Sequence, residues 1–270
     1  MNFQHYLSRM NLSLKGKTAL VCGSTQGIGK AAAIELALLG ASCVLMARDE
    51  KKLAEAIKDL DTSSGQKHQF IAADFQHPHE VKEKAEAFAK TNTIHILVNN
   101  TGGPNSGPIL KADIEEFRIA FNNHLICNHI LMQAVIEGMK KEKFGRIINI
   151  ISTSVKVPLK NLGVSNTIRA AVANWSKTLS NEVAPFGITV NNVLPGATKT
   201  QRLQSIIQNK ADKTGETVDA LSEDMLREIP MGRFADASEV AAAVAFLASP
   251  AAGYITGINV PVDGGRTGSL

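Results

Sequence analysis

Three glycines follow a short apolar segment at spacings that suit the binding of a phosphate. The stretch CGSTQGIG joins a predicted strand at 18–22 to a predicted helix at 28–39, and its glycines are Gly23, Gly27 and Gly29. Such a turn directs backbone N–H groups and the positive end of a helix at an anion. Because similar turns also join strands to helices without any ligand, the glycines alone are weak evidence. Their place after the first strand of a βαβ repeat makes the turn a predicted nucleotide site.

The end of the second predicted strand indicates which nucleotide binds. The strand at 42–46 is followed by Ala47 and Arg48, where sites for NAD usually carry an aspartate or glutamate. An arginine instead pairs with a 2′-phosphate. Asp49 comes next, but its place before a helical segment is typical of an N-cap. The pattern favours NADP(H), and the alternative interpretation is that Arg48 is a solvated surface residue.

The glycine turn and Arg48 can lie together only if a parallel sheet positions them, and the pattern of the remaining segments predicts such a sheet. Short apolar segments alternate with amphipathic stretches of helical length, and this alternation is typical of βαβ units. The predicted strands are 18–22, 42–46, 69–72, 94–98, 146–151, 188–193 and 258–262. The predicted helices are 28–39, 50–60, 79–90, 114–141, 164–183 and 237–247. We therefore predict an α/β fold: a single doubly wound Rossmann domain whose seven-stranded parallel sheet has helices on both faces.

No linker or repeat divides the chain, so residues 1–14 are interpreted as an N-terminal arm and 15–270 as the domain. Residues 200–230 are polar and irregular with helical patches, and Leu203, Ile206 and Ile207 are interpreted as their apolar contacts.

Composition excludes several other classes of protein. With 44% hydrophobic residues over 270 positions, the chain can bury a large core, yet no apolar run approaches the roughly 20 residues that span a bilayer. Lys and Arg are scattered and the net charge is only +4, which argues against nucleic-acid binding. The chain has three cysteines and no signal peptide, so we expect free thiols in the cytoplasm. His77 and His79 have no third ligand at suitable spacing, so no metal site is expected.

At this point the chain resembles the short-chain dehydrogenase/reductase family, and within it the bacterial 3-oxoacyl-[acyl-carrier-protein] reductases. The resemblance runs from about residue 15 to residue 265. Besides the glycine turn, it is carried by Asp74, by NNTG at 99–102, by PGATKT at 195–200, by PMGRF at 230–234 and by VDGG at 262–265.

The resemblance implies an NADP(H) site, an acyl-thioester or similar small-molecule ketone as substrate, and a lid at about 200–230. It also implies a homodimer or homotetramer, because family members pair the helices corresponding to 114–141 and 164–183 across subunits. The implied cofactor contacts are Gly23, Thr25, Gln26, Gly27, Ile28, Gly29, Arg48, Asp74 beside the adenine, Phe75, Asn99, Thr101, Gly102, Arg169, Pro195, Gly196 and Thr198.

The family's catalytic Asn, Ser, Tyr and Lys are only partly retained. Alignment without gaps places the Ser on Ser152, the Tyr on Ser165, the Lys on Arg169, and the Asn on His124. Asn123 lies one residue from the last of these positions. The chain's two tyrosines, at positions 6 and 254, have no lysine four residues later. A serine hydroxyl cannot replace tyrosine as an acid, and an arginine stays protonated, so the usual proton donor is absent.

His124 is the group at these positions that titrates near neutral pH. Our hypothesis is that His124 and a water supply the proton while Ser152 polarises the carbonyl. The alternative is a histidine satisfied in a helix–helix contact. Lys156 and Lys160, between Ser152 and Ser165, could also lean into the site, although loop lysines are usually solvated.

Three functions fit these residues. The first is an NADP(H)-dependent oxidoreductase of fatty acid type with an altered proton donor. The second is a catalytically impaired NADP(H)-binding protein that acts as a sensor or partner subunit, and the third is a lyase or isomerase.

Overall fold

The apolar segments of the chain form one parallel sheet. In the computed structural model, which describes residues 10–269, the strands lie in the order β3-β2-β1-β4-β5-β6-β7, and every pairing between neighbours is parallel. They are β1 (Thr18–Cys22), β2 (Ser42–Ala47), β3 (Gln69–Ala72), β4 (Ile96–Asn99), β5 (Gly145–Ile150), β6 (Ile188–Pro195) and β7 (Asn259–Val262). The order reverses between β1 and β4, which is where open α/β sheets bind ligands.

Two layers of helices cover the sheet, as predicted. The helices are α1 (Gly27–Leu38), α2 (Glu50–Ala56), α3 (Pro78–Ala89), α4 (Ile114–Phe121), α5 (Cys127–Glu142), α6 (Gly163–Val183), α7 (Gln201–Thr214), α8 (Val218–Arg227) and α9 (Ala237–Ala248). Buried residues of α1, α2 and α9 pack on one face of the sheet, and those of α3, α5 and α6 pack on the other. Strands covered on both faces are mainly apolar, as β1 is after its first residue, Thr18.

The single helix predicted at 114–141 is wrong in one respect. A π-helical turn, Asn122–Ile126, separates α4 from α5. The chain remains helical through this turn, but the wider turn changes which side chains face inward, and such turns occur frequently at functional sites. His124 lies in this turn and is 2% exposed.

Residues 200–230 are more regular than predicted, since α7 and α8 account for most of them. Leu203, Ile207 and Ala211 lie four residues apart on one face of α7 and form a small core with Leu221 of α8. Thr200 and Thr217 cap the two helices with their side chains. The segment therefore packs as a helical hairpin, which we call the lid helices.

Four asparagines connect β4 to β7 across the carboxyl edge of the sheet. Asn99 donates to Asn149 (2.8 Å), Asn149 donates to Asn192 (2.9 Å), and Asn192 donates to Asn259 (2.8 Å). These residues are paired in register along the strands. Asn149 and Asn192 therefore each donate and accept within this series, whereas the Asn99 Oδ1 is buried without a partner within residues 10–269.

The remaining expectations concern the ends and the surface. The predicted arm lies mostly outside the described residues, but Leu14 is fully buried, one residue before the predicted domain boundary. No helix within residues 10–269 is sufficiently long and apolar to cross a membrane, and no cluster of three metal-ligating side chains occurs there. The three cysteines are buried and unpaired.

Candidate active site

A cleft of about 800 Å³ opens at the carboxyl edge of the sheet, over the point where the strand order reverses. It is bordered by residues that follow β1, β2, β3 and β4 and by the π-helical turn. Among the predicted site residues, those that line it are Gly23, Thr25, Gln26, Arg48, Asp74, Phe75, Thr101, Gly102 and His124. Residues from four separate strand ends are thus brought together in one cavity.

The glycine turn after β1 is held by a side chain from β4's end. Gly23 has φ +56°, and a Cβ there would lie 2.5 Å from the Asn100 carbonyl oxygen. A Cβ on Gly29 would lie 2.3 Å from the Gly23 carbonyl oxygen. Asn100 donates its side-chain amide to the carbonyls of Cys22 and Gly23, at 3.3 and 3.2 Å. The first and third glycines are therefore required by close backbone approach, and Asn100 fixes the turn that they permit.

The helix that follows this turn presents free N–H groups. Gln26, at the N-cap of α1, makes no capping hydrogen bond with its side chain, and the first turn contains no acidic residue. Gly27, with φ +56°, and Ile28 lie in that turn. An uncapped helix start beside a glycine turn can hold a phosphate with backbone donors alone. This end of the cleft therefore fits the pyrophosphate of a dinucleotide.

The next part of the cleft contains the guanidinium of Arg48 and, beside it, the Asp49 carboxylate, which is already hydrogen-bonded within α2. Asp49 caps α2 by accepting from the Lys52 backbone N–H at 3.0 Å, as predicted. Arg48 is exposed, lines the cleft and has no hydrogen bond or ion pair within the described chain. The Asp49 carboxylate is therefore engaged locally, while the Arg48 guanidinium is available to an anion.

The residues after β3 close the same side of the cleft. Asp74 accepts a hydrogen bond from the Gln76 backbone N–H at 3.0 Å, and Phe75 is 8% exposed. Both line the cleft, so the structure brings these two predicted residues together at its border.

His124 is the buried titratable group of the cleft. Its Nδ1 shares a hydrogen bond of 2.6 Å with the Thr101 hydroxyl, and its Nε2 is buried without a partner within residues 10–269. Burial lowers the pKa of His124 well below its usual value, and the positive charge of Arg169 lowers it further. The Gly102 backbone near the ring opposes these effects. The imidazole is therefore neutral at neutral pH. The helix–helix interpretation does not describe this contact, because Thr101 belongs to the loop after β4.

Three predicted catalytic residues lie around the ends of β5 and α6. Ser152 follows β5, and its hydroxyl accepts the Ser154 backbone N–H at 3.1 Å. Ser165 is half-buried in the first turn of α6. Arg169, one turn later, is 9% exposed and donates to the Ile150 carbonyl at 3.0 Å. Burial lowers the Arg169 pKa to about 10, so its guanidinium stays charged.

Other predicted cofactor residues do not border the cleft within the described chain. Asn99 is buried in the asparagine series, so its amide is engaged by Asn149. Gly196 packs closely on the loop after β7, since a Cβ there would lie 2.7 Å from the Asp263 Cα. Thr198 is buried and donates to the Gly196 carbonyl at 3.1 Å, and Pro195 ends β6 beside them. These residues therefore contact one another and the neighbouring strand ends.

Three residues of the site were not among the predicted ones. Asn100 holds the glycine turn, Asn123 lines the cleft with a buried Oδ1 that lacks a partner, and Arg202 of α7 reaches the Pro104 carbonyl. The pair of asparagines at 99 and 100, directly after an apolar strand, was a sequence signal that could have indicated Asn100. The π-helical turn hid the second, because both Asn123 and His124 face the cleft.

Comparisons of sequence match almost the whole chain. The model of the family described as enoyl-(acyl carrier protein) reductase matches residues 23–267. The 3-oxoacyl-[acyl-carrier-protein] reductase FabG of Pseudomonas aeruginosa is 35% identical, over 94% of this chain and 98% of that protein. The NADPH-dependent reductase BacG of Bacillus subtilis is 32% identical, over 94% of this chain and 99% of that protein.

Comparisons of structure agree with this result. L-sorbose reductase from Gluconobacter frateurii, solved with NADPH and L-sorbose, superposes with a TM-score of 0.89 at 30% identity, covering 97% of this chain and all of that one (100%). YwfH, an NADPH-dependent reductase involved in bacilysin biosynthesis, superposes with a TM-score of 0.88 at 31% identity, covering 94% and 99%.

Proposed function

The chain belongs to the short-chain dehydrogenase/reductase family, and we propose that it reduces a ketone, of the 3-oxoacyl thioester type or similar, with NADP(H). It is an enzyme of the oxidoreductase class, and the relatives described above are named as reductases. The interpretation as a non-catalytic binding protein is therefore not favoured, and no feature of the cleft favours a lyase or isomerase. The observation that carries the proposal is the glycine turn and the Ser152 hydroxyl at the carboxyl edge of one parallel sheet.

The cofactor site is inferred from residues that fit a dinucleotide. The uncapped start of α1 and the turn held by Asn100 would bind the pyrophosphate, and Asp74 with Phe75 would border the adenine. Arg48 supports a preference for NADP(H), because its free guanidinium can pair with a 2′-phosphate while the neighbouring Asp49 carboxylate is engaged. When bound, the nicotinamide would supply a hydride to the carbonyl carbon.

Ser152 is proposed to polarise the substrate carbonyl. Its oxygen accepts the Ser154 N–H, so the hydroxyl hydrogen remains free to be donated to a carbonyl oxygen. This contact strengthens as negative charge develops on that oxygen, which is the condition for a catalytic effect. Arg169 would add a fixed positive charge at the same end of the cleft.

His124 is proposed to pass a proton to the carbonyl oxygen through a water. The lowered pKa makes its cation scarce at neutral pH but a strong acid whenever it forms. Thr101 holds the ring through Nδ1, which leaves the unpartnered Nε2 as the nitrogen available for exchange. Ser165 is too weak an acid for this role and is proposed to leave room for the water where the family carries a tyrosine.

A second cavity, of about 420 Å³, gives the rest of the substrate a place. Thr153, next to Ser152, borders this cavity together with Val157 and Leu159. Its far side comes from Glu228, just beyond α8, and from Arg266, which pair with each other. We infer that the apolar portion of the substrate lies against Val157 and Leu159, with the lid helices over it.

A homodimer or homotetramer is proposed on the basis of exposed apolar side chains around α4. Leu110 is 95% exposed and Ile114 is 70% exposed, and Phe121 at the end of α4 is 41% exposed. Such residues close together favour an interface. A cytoplasmic location stays a prediction.

The first test measures binding and turnover together. NADPH and NADH are titrated by fluorescence, and the loss of NADPH absorbance is followed with acetoacetyl thioester. We expect tighter binding of NADPH than of NADH and measurable oxidation of NADPH. Tight binding without turnover, on this substrate and on a panel of small ketones, would instead support a binding protein without reductase activity.

A further inference from the structure

Two arginines from distant parts of the chain converge on one glycine of the cleft. If Gly103 carried a Cβ, that atom would lie 3.7 Å from the Arg169 Nη2 and 3.6 Å from the Arg202 Nη2. Arg169 comes from α6 and Arg202 from the first turn of α7, while Gly103 itself borders the cleft. The two guanidinium groups therefore meet at the wall of the proposed active site.

No carboxylate neutralises this pair. Within residues 10–269, Arg169 and Arg202 form no ion pair, and their hydrogen-bond partners are the backbone carbonyls of Ile150 and Pro104. The charge of Arg202 lowers the pKa of Arg169 in addition to the larger effect of burial. A buried cation without a counter-charge is costly, and a second cation beside it adds to that cost.

The placement of Arg202 increases the positive potential. It lies in the first turn of α7, where the helix dipole is positive, and that turn contains no acidic residue. Thr200 satisfies the Leu203 backbone N–H, but no acidic side chain in residues 10–269 pairs with Arg202. A helix of 14 residues with a basic first turn is suited to an anion at its start.

We propose that Arg169 and Arg202 bind a carboxylate of the substrate, so that the ketone reduced by this enzyme is an oxo acid. A hydrogen bond between a guanidinium nitrogen and a carboxylate oxygen is about 2.9 Å long. Because a carboxylate has two oxygens, one such group can accept from both guanidiniums beside Gly103. The inference rests on the proposed function and, among the ketones it allows, selects those with a free carboxylate near the carbonyl over 3-oxoacyl thioesters, whose acyl carboxyl is uncharged.

The cofactor pyrophosphate is the competing source of an anion. It is provided for at the glycine turn, where backbone N–H groups of α1 are uncapped. Arg202 belongs to the lid helices, which border the proposed substrate cavity through Glu228. Cofactor affinity and substrate affinity therefore have to be measured separately.

The test compares acetoacetate with its neutral ethyl ester as substrates for wild type and Arg202→Gln. We expect the wild type to prefer acetoacetate. In the variant, kcat/KM for acetoacetate should fall roughly 10- to 100-fold, with less than about a threefold change for the ester. Arg227→Gln is the matched control, because this arginine of α8 already pairs with Glu223 and Asp224. It should leave both values unchanged.

A second variant fills the space between the arginines without removing charge. Gly103→Ala would place a methyl group in ordinary contact with both guanidiniums, and Gly107→Ala adds the same group where nothing lies within 4 Å. We expect Gly103→Ala to raise KM for acetoacetate about tenfold and Gly107→Ala to have no effect.

Each outcome decides the proposal. An equal loss on acid and ester, no loss on either, or a loss confined to the NADPH Kd would overturn it, the last by assigning the anion to the cofactor. If no ketone is reduced, the proposed function fails, and binding of malonate to the NADPH-loaded protein still tests the anion site. Calorimetry should then show malonate binding to wild type and at least tenfold weaker binding to Arg202→Gln, whereas equal binding would reject the site.

Discussion

The two ends of the cleft are built from different kinds of atoms. At the β1 end, backbone N–H groups and glycines form the surface, and the Asn100 amide holds them in place. Towards β5, side chains take this part: the imidazole of His124 lines the cleft, and the Ser152 hydroxyl and the Arg169 guanidinium lie around the ends of β5 and α6. The first end depends on the course of the chain, and the second depends on which residues occupy it.

This difference gives a physical reason for the prediction from sequence that one end matches the family pattern and the other departs from it. A backbone cradle tolerates almost no change, because a Cβ at Gly23 or Gly29 would meet backbone atoms at 2.5 and 2.3 Å. A side-chain site can lose a tyrosine and still keep its fold, since Ser165 lies half-buried in an intact α6. Chemistry can therefore diverge at the β5 end while cofactor binding is retained at the β1 end.

The largest effect is expected from removing the Ser152 hydroxyl. Ser152→Ala should lower kcat about 10²- to 10³-fold, because the carbonyl oxygen loses its proposed hydrogen-bond donor. NADPH affinity should stay within about twofold, since the cofactor is held mainly at the other end. Steady-state kinetics and a fluorescence titration measure the two quantities.

The control for Ser152→Ala lies two residues away. Ser154→Ala removes a buried hydroxyl without a partner but keeps the backbone N–H that Ser152 accepts. It should leave kcat unchanged. A Ser152→Ala enzyme with normal kcat would mean that this end of the cleft does not act as proposed.

The β1 end should respond to shape instead. Gly29→Ala places a Cβ 2.3 Å from a backbone oxygen, so we expect about 1–3 kcal/mol of destabilisation and at least tenfold weaker NADPH binding. Gly138→Ala in α5 is the matched change, because its Cβ would make an ordinary contact with Thr93 at 3.5 Å. It should stabilise the protein by about 0.5–1 kcal/mol. Urea unfolding measures both changes in the free energy of unfolding. If the two substitutions changed it in the same direction, Gly29 would not be held against the Gly23 carbonyl as proposed.

Much of the β1 end could be predicted from sequence because local patterns determine it. The predicted strands at 18–22 and 69–72 have the observed bounds, since apolar runs there end at turn residues. The glycine turn, Arg48 and Asp74 reach the cleft because each directly follows a strand, and parallel strands end at one edge.

The β5 end was less predictable because it depends on contacts between distant residues. The π-helical turn changes which side chains face inward, and the sequence of 114–141 did not indicate where that turn lies, so it did not distinguish Asn123 from His124 as the inward residue. The polar composition of 200–230 did not predict the lid helices, although the four-residue spacing of Leu203 and Ile207 is typical of one helix face. No local pattern could place Arg202 beside a residue of α6.

Arg48 offers a smaller and more selective test at the β1 end. Arg48→Gln should weaken NADPH binding about tenfold and leave the Kd for NADH unchanged, because only the former carries a 2′-phosphate. The effect is limited by solvent, since this arginine is exposed. Lys51→Gln, an exposed lysine of α2 that does not border the cleft, is the control for net charge. Equal losses for both cofactors would show that Arg48 does not read the phosphate.

The smallest effect is a change in pH dependence at His124. Because its pKa is lowered in the folded protein, the unfolded chain binds a proton first as pH falls below about 6.5. Stability should therefore decline as pH falls from 6.5 towards the folded pKa, and His124→Asn should make this decline shallower. His95, whose pKa burial also lowers, keeps part of the decline in the variant.

The same substitution tests the proton relay. The His124 cation becomes more populated as pH falls below 6.5, so kcat of the wild type should rise towards acid within the range where the fold persists. Asparagine can still bond the Thr101 hydroxyl, so His124→Asn should retain NADPH binding while losing this acid limb, with kcat up to tenfold lower at pH 6. Superimposable pH–rate profiles would remove His124 from the relay and leave the β5 end dependent on another proton source.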